Sequence, residues 1–269
     1  DPIGMVLLAL GTLAVMFPFL QLDAGAWVWS VLGLGVLLII AWVRWEAAYR
    51  RRGRAPMVDL ALFSTRSFAN GSLLIALYFM GMTSVWVVSA IYLQSGLGRS
   101  ALEAGVVGLP AAILSALSSA VAGRYVFRFG RPIVLGGILV LLLGLVTSVG
   151  AVLLHERAGT SIWWLLLTLS FVGLGQGATI SPNQTLTLAD VPLRYAGSAG
   201  GVLQTGQRIG TAIGIALITA VFFAIRAEAG WTPAFVGALC VISGIVVLSG
   251  VVGVVDWLQG RRPTRDPGA

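Results

Sequence analysis

Eight stretches of this chain are each long and apolar enough to cross a bilayer, which leaves few folds open to it. A hydrocarbon core of ~30 Å takes about 20 residues of helix. Inside that core every backbone N–H and C=O must find its partner within the protein. The stretches run over 4–21, 26–44, 69–94, 101–123, 132–154, 161–188, 197–225 and 231–257. They predict an all-α, polytopic membrane protein with eight transmembrane helices. Composition agrees: 58% of the residues are hydrophobic and 10% charged, against about 25% charged in a soluble domain.

The links at 22–25, 95–100, 155–160, 189–196 and 226–230 are short, and the one long link, 45–68, is basic. Every basic residue is arginine, and the arginines sort by loop parity. The links after the second, fourth and sixth stretches, with the tail, carry thirteen: Arg44, Arg50, Arg51, Arg52, Arg54, Arg66, Arg124, Arg128, Arg131, Arg194, Arg261, Arg262 and Arg265. The remaining links carry three, Arg99, Arg157 and Arg226. Positive residues concentrate on the cytoplasmic side, so both ends of this chain are expected in the cytoplasm. The net charge of +7 is thus spread along membrane edges, and nucleic acid is not expected as a partner.

The seventeenth arginine, Arg208, lies inside the seventh stretch, GSAGGVLQTGQRIGTAIGIALITAVFFAI. A charge at the centre of a membrane helix costs about 3 kcal/mol on insertion-based scales. Gln204, Gln207, Arg208 and Thr211 fall within about 100° of arc at helical spacing. The arginine is either a structural residue held by neighbouring polar groups or a cavity or gating charge. Beside it, Gly206, Gly210 and Gly214 recur at i, i+4 and i+8 and make a smooth stripe for helix packing. Glycine is abundant throughout, 35 of 269 residues.

The sixth stretch carries Gln176, Thr179, Asn183 and Thr187 on one helical face, and Pro182 should kink or open the helix there. The stripe is either substrate-facing or polar glue between helices. On the third stretch Tyr78, Met82, Trp86 and Ser89 share a face suited to greasy ligands, ordinary packing or lipid contact. The run Gly173, Gly175, Gly177 follows no strand and is read as packing, not as nucleotide binding. One Cys and one His exclude a disulfide framework and a zinc cluster built on those residues. No GxSxG, HExxH or P-loop occurs, so neither an enzyme nor a cofactor is expected. The acidic residues cluster at span edges, Asp190 and Asp256 among them, and none stands out as a mid-depth proton carrier.

Four stretches together resemble the major facilitator superfamily, in its 14-helix branch of drug:proton antiporters. They are DLALFSTRSFANGS (59–72), IYLQSGLGRSALEAGVVGLP (91–110), GRYVFRFGRP (123–132) and SPNQTLTLADVPLRYAGSAGGVLQTGQRIGTAIGIA (181–216). The third is similar to the second-half copy of the signature G-x-x-x-D-R-x-G-R: Gly123, Arg128, Gly130 and Arg131 match, while Phe127 stands where the aspartate would be. Without that aspartate, a latch built on these arginines is weaker or borrows another carboxylate.

The resemblance implies two linker helices over 1–45, a basic cytoplasmic linker over 46–68, a C-terminal six-helix transporter bundle over 69–257 and a cytoplasmic tail over 258–269. A six-helix N-terminal half would precede them, so the chain reads as part of something longer. It further implies export of small lipophilic or cationic compounds across a bacterial cytoplasmic (inner) membrane by alternating access, with protons as coupling ion and membrane lipid around the bundle. Tyr78, Met82, Trp86, Gln176, Thr179 and Asn183 are the cavity candidates. Gln204, Gln207, Arg208 and the three glycines are the interface or gating candidates, facing the missing half. Export of a physiological metabolite, lipid or siderophore, or a non-transporting scaffold or sensor, stays open beside this reading.

Overall fold

The computed structural model describes residues 1–21, 25–52, 56, 58 and 60–260. Asp59 and the tail arginines Arg261, Arg262 and Arg265 lie outside the described residues, as does Arg54. Among the described residues all regular structure is helical: α1 (Pro2–Leu20), α2 (Val28–Arg51), α3 (Arg66–Ile91), α4 (Ala101–Phe129), α5 (Arg131–Ala158), α6 (Trp164–Leu188), α7 (Ala196–Ala229) and α8 (Trp231–Gly260). All eight are long and apolar enough to cross a membrane. Short 3₁₀ turns at Leu60–Ser64 and Leu193–Tyr195 lead into α3 and α7, and a π-helical turn, Tyr92–Gly96, continues α3.

Local chemistry sets the helix ends. Pro2 opens α1, where a missing N–H costs nothing, and the Asp1 carboxylate caps it by accepting from the Gly4 N–H at 2.9 Å. Ser100 and Glu103 form a reciprocal capping box at α4. A single residue, Gly130 at φ 62°, separates α4 from α5. Only glycine adopts that backbone readily, so the expected loop around 123–132 is a helix end, a one-residue corner and a helix start. Most helices run several residues past their apolar stretches. Residues 46–51 of the expected basic linker belong to α2.

Packing divides α3–α8 into two triplets. In one, α6 lies between α4 and α5; in the other, α3 lies between α7 and α8, and α5–α8 and α3–α6 contacts join them. The closest approaches use small residues, as association in lipid requires. A Cβ on Gly173 or Gly177 would overlap the Ala111 or Ser115 carbonyl of α4. Gly210 and Gly214 abut the Ala76 and Met80 carbonyls of α3 in the same way. The α1–α2 pair packs on itself and reaches the rest mainly along α7. Large apolar side chains such as Leu13, Leu37, Leu139 and Val146 point outward. Water would not tolerate so much exposed apolar surface; lipid does.

The start of α3 and α5 and the last turns of α6 and α8 gather at one end, called here the basic end. At the opposite end the Tyr92 hydroxyl lies 3.2 Å from the Thr232 hydroxyl, and the Tyr92 ring stacks on Phe235 at 4.6 Å. There Arg99 pairs with Glu103 at 3.3 Å, and Arg226 sits over the Trp231 ring at 4.0 Å.

Candidate functional site

A groove of about 590 Å³ runs along the α4–α6 seam under Trp86 of α3. Ser115 and Ser119 of α4 and Gln176, Ser181 and Gln184 of α6 line it, with alanine and glycine between them. Among the described residues no ionisable side chain lines the groove. It exists because Gly173 and Gly177 let α6 sink against α4, while the small α4 side chains leave the space above the seam unfilled. Its surface offers hydroxyls, two amides and one indole ring, a set that binds by hydrogen bonding, stacking and shape instead of charge.

Trp86 and Gln176 are therefore the cavity candidates that line an open space. The other four do not line it. Tyr78 and Met82 are buried in the core of α3 packing. The Thr179 hydroxyl donates to the Gly175 carbonyl at 2.8 Å and packs against Gly137 of α5. Asn183 is fully buried beside Arg131. The groove stripe on α6 is Gln176, Ile180, Gln184, at i, i+4 and i+8. It is offset from the Gln176, Thr179, Asn183, Thr187 face, whose last three members point into helix contacts. Pro182 lies in an unbroken α6.

A buried charged cluster holds the basic end. Arg131 opens α5 with its side chain 9% exposed. Its Nε donates to Asp256 of α8, its Nη1 donates to the Asn183 amide oxygen, and its Nη2 donates to the Ser67 carbonyl at 3.2 Å. The Asp256 carboxylate is also met by Arg66 Nε at 3.4 Å and accepts from Asn70 Nδ2 at 3.1 Å. Asn183 Nδ2 donates to the Gly71 carbonyl at 3.1 Å, and the Ser67 hydroxyl donates to Asp190 at 2.7 Å. One carboxylate and one guanidinium thus tie together α3, α5, α6 and α8.

This alters the reading of the signature-like stretch. Arg131 is not a loop residue, because the one-residue corner at Gly130 turns it directly into the bundle. Its carboxylate partner is the α8 aspartate, which the sequence shows only as one more acid at a span edge. Phe127 is 77% exposed. Arg128 makes no ion pair among the described residues and lies over the Phe129 ring at 5.3 Å. A Cβ on Gly123 would meet open space.

On α7 the candidates separate by face. Gln204 and Arg208 are exposed, and Arg208 has no hydrogen bond or ion pair to a described residue. Gln207 is buried with its Nε2 unpartnered. Gly210 and Gly214 press on α3, while Gly206 has only the Ala76 Cβ near it, at 3.7 Å from a built Cβ. The glycine stripe faces α3 of this chain, and Arg208 projects from another side of the helix. Among the described residues no His, Cys, Asp or Glu group could hold a metal ion.

The profile of the Major Facilitator Superfamily matches residues 2–215 of the chain. Similar proteins include a "Probable actinorhodin transporter" of Streptomyces coelicolor, 30% identical, the match covering 83% of this chain and 39% of that protein. The "Tetracenomycin C resistance and export protein" of Streptomyces glaucescens is 28% identical, covering 81% of this chain and 40% of its own length. A "Lincomycin resistance protein" of Listeria innocua is 26% identical, covering 81% and 45%. The chain therefore spans about two fifths of the length of the curated relatives it matches.

Proposed function

The chain belongs to the Major Facilitator Superfamily, and we propose that it forms the second part of a 14-helix exporter of lipophilic compounds. In this reading α1 and α2 are linker helices and α3–α8 are the C-terminal bundle. The complete protein works by alternating access, with protons as the coupling ion. It sits in a bacterial cytoplasmic membrane with the basic end inside, as the thirteen-to-three division of arginines supports. Rocking of two bundles about a site near the bilayer midplane is the general mechanism of such folds.

The observation that carries the reading is the uncharged groove. Trp86, Gln176 and Gln184 form half of a wall suited to a greasy, polyfunctional ligand, and an upstream half would supply the opposite wall. Arg208 and Gln204, exposed on α7, then lie where that half would pack, and Arg208 acts at the interface between halves. Two of the relatives are named for the transport or export of one compound each, which supports a second reading: export of a physiological metabolite, with drug efflux incidental.

Extrusion by the complete protein in everted, energised vesicles tests the site. Trp86→Ala and Gln176→Ala each reduce substrate affinity at least tenfold while the protein level stays constant. Wild-type extrusion and affinity in both variants, across cationic dyes and neutral polycyclic compounds, would refute the groove assignment. Competition between those two compound classes separates drug export from metabolite export.

A further inference from the structure

One contact ties the polar side of α7 to the groove. The Thr211 hydroxyl lies 3.4 Å from the Thr83 hydroxyl of α3. Thr83 stands one helical turn from Trp86, which lines the groove. The other side of α7, with Thr205, Gly206 and Ile209, looks onto the α1–α2 pair. Both α3 and α7 run away from the basic end. Arg208 precedes Thr211 by three residues and Trp86 follows Thr83 by three, so the two are about 9 Å apart along the helices. Arg208 therefore stands at the basic-end mouth of the groove, on the side where Gln184 approaches the end of α6.

Nothing in the described residues occupies that guanidinium. Arg208 is exposed and makes no hydrogen bond or ion pair to a described residue. The described acids of α3–α8 at the basic end are engaged elsewhere: Asp190 accepts from Ser67, and Asp256 meets Arg131 and Arg66. Beside Arg208, Gln207 is 5% exposed and its Nε2 has no hydrogen-bond partner. A charged side chain within a membrane span faces either a protein partner or a water-filled cavity. A single sign of charge in a cleft with low-dielectric walls concentrates ions of the opposite sign.

We propose that Arg208 recognises the charge of the substrate, and that the substrates are lipophilic acids: aromatic rings lie under Trp86 and an oxyanion is held by Arg208 with the Gln207 amide. The inference rests on the groove as the substrate site and names the class of compound it takes. A guanidinium grips a carboxylate with two parallel N–H bonds. The Gln207 N–H gains as well, because a buried donor without an acceptor is costly until it finds one. A cation gains from neither group. The groove itself carries no charge among the described residues, so the one guanidinium at its mouth sets the sign that this half of the site prefers.

Equilibrium dialysis of the purified complete protein tests this with anthracene carrying a carboxylate, a carboxamide or a trimethylammoniomethyl group at one ring position. The wild type binds the carboxylate about tenfold more tightly than the carboxamide, the margin of a charge-assisted hydrogen bond, and the cation most weakly. Arg208→Gln brings the carboxylate down to the affinity of the carboxamide and leaves the carboxamide unchanged. Gln204→Glu sets a carboxylate one turn from Arg208 and also cuts the preference, which keeps the test open if Arg208→Gln fails to accumulate. Arg124→Gln with Arg128→Gln, at the same end on α4, leaves the preference intact. Trp86→Ala weakens all three probes alike; a carboxylate preference that stands while Trp86→Ala weakens none refutes the groove assignment alone. Equal wild-type affinity for carboxylate and carboxamide overturns the proposal, and a Trp86→Ala loss beside it spares the groove. A preference retained by both Arg208→Gln and Gln204→Glu also overturns it, and absence of binding by any probe overturns both readings. Equal affinities with a lower melting temperature in Arg208→Gln would make a carboxylate of the upstream half the partner instead.

Discussion

At the scale of single residues, two arginines divide the structure between them. Arg131 is buried and bonded to three neighbouring helices; Arg208 is exposed and makes no hydrogen bond or ion pair to a described residue. Their sequence surroundings point the opposite way, since Arg208 sits within an apolar run and Arg131 in a basic turn. The difference is tertiary. The partners of Arg131 come from residues 125 and 52 positions later in the chain, and no local pattern announces them. Depth also reads differently once α7 is seen whole. A helix of 34 residues is about 51 Å long; centred on a ~30 Å core, it places Arg208 only about 8 Å inside the hydrocarbon. A long guanidinium stem reaches the interface from there. Removing one member of a buried ion pair leaves the other charge unpaired and costs about 3 kcal/mol or more. Asp256→Asn should therefore lower the melting temperature of the purified complete protein by several degrees. Arg131→Met with Asp256→Leu should recover most of that loss. Equal melting of wild type and Asp256→Asn would mean the cluster does not hold the bundle.

Among the elements, the spans were legible because length and hydropathy are properties of contiguous residues. Faces were less so. The Gln176, Thr179, Asn183, Thr187 pattern on α6 is a genuine helical face, but periodicity cannot tell whether a polar face looks into a groove or into a neighbouring helix. Here Thr179 and Asn183 meet α5 and α3, while Ile180 and Gln184 share the groove with Gln176. The glycine stripe of α7 was readable as a packing seam, yet its partner was not: α3 of the same chain takes it up. That contact grades sharply along the helix. A Cβ at Gly214 would overlap the Met80 carbonyl, a backbone atom that cannot rotate away, whereas at Gly206 the nearest atom is a methyl at ordinary distance. Gly214→Leu should abolish stable expression of the complete protein, and Gly206→Ala should leave its melting temperature within about 1 kcal/mol-equivalent of wild type. Fluorescence-detected size exclusion of the two variants decides the point; similar profiles would mean α7 is not held against α3 as described.

For the molecule as a whole, the alternation of spans places the described arginines of the thirteen at one end, and the proposed orientation follows from that count. Cysteine mapping in intact cells checks it. Cys240 is exposed and must first be replaced, for example by Ser. A single Cys at Arg157 should then react with a membrane-impermeant maleimide, while one at Arg194 should react only after permeabilisation. The reverse pattern would invert the topology. The charged cluster carries a further consequence, for biosynthesis. Arg131 enters the membrane with α5, but its carboxylate arrives 125 residues later on α8. At about 5 to 20 residues per second, a nascent chain carries that guanidinium without its aspartate for roughly 6 to 25 seconds. Until α8 arrives, α5 must wait with its first residue near the headgroups, and a ribosome stalled before residue 256 leaves a chain whose insertion is unfinished at the other end of the sequence. Synthesis of α8 is in this sense the event that seats the fifth helix.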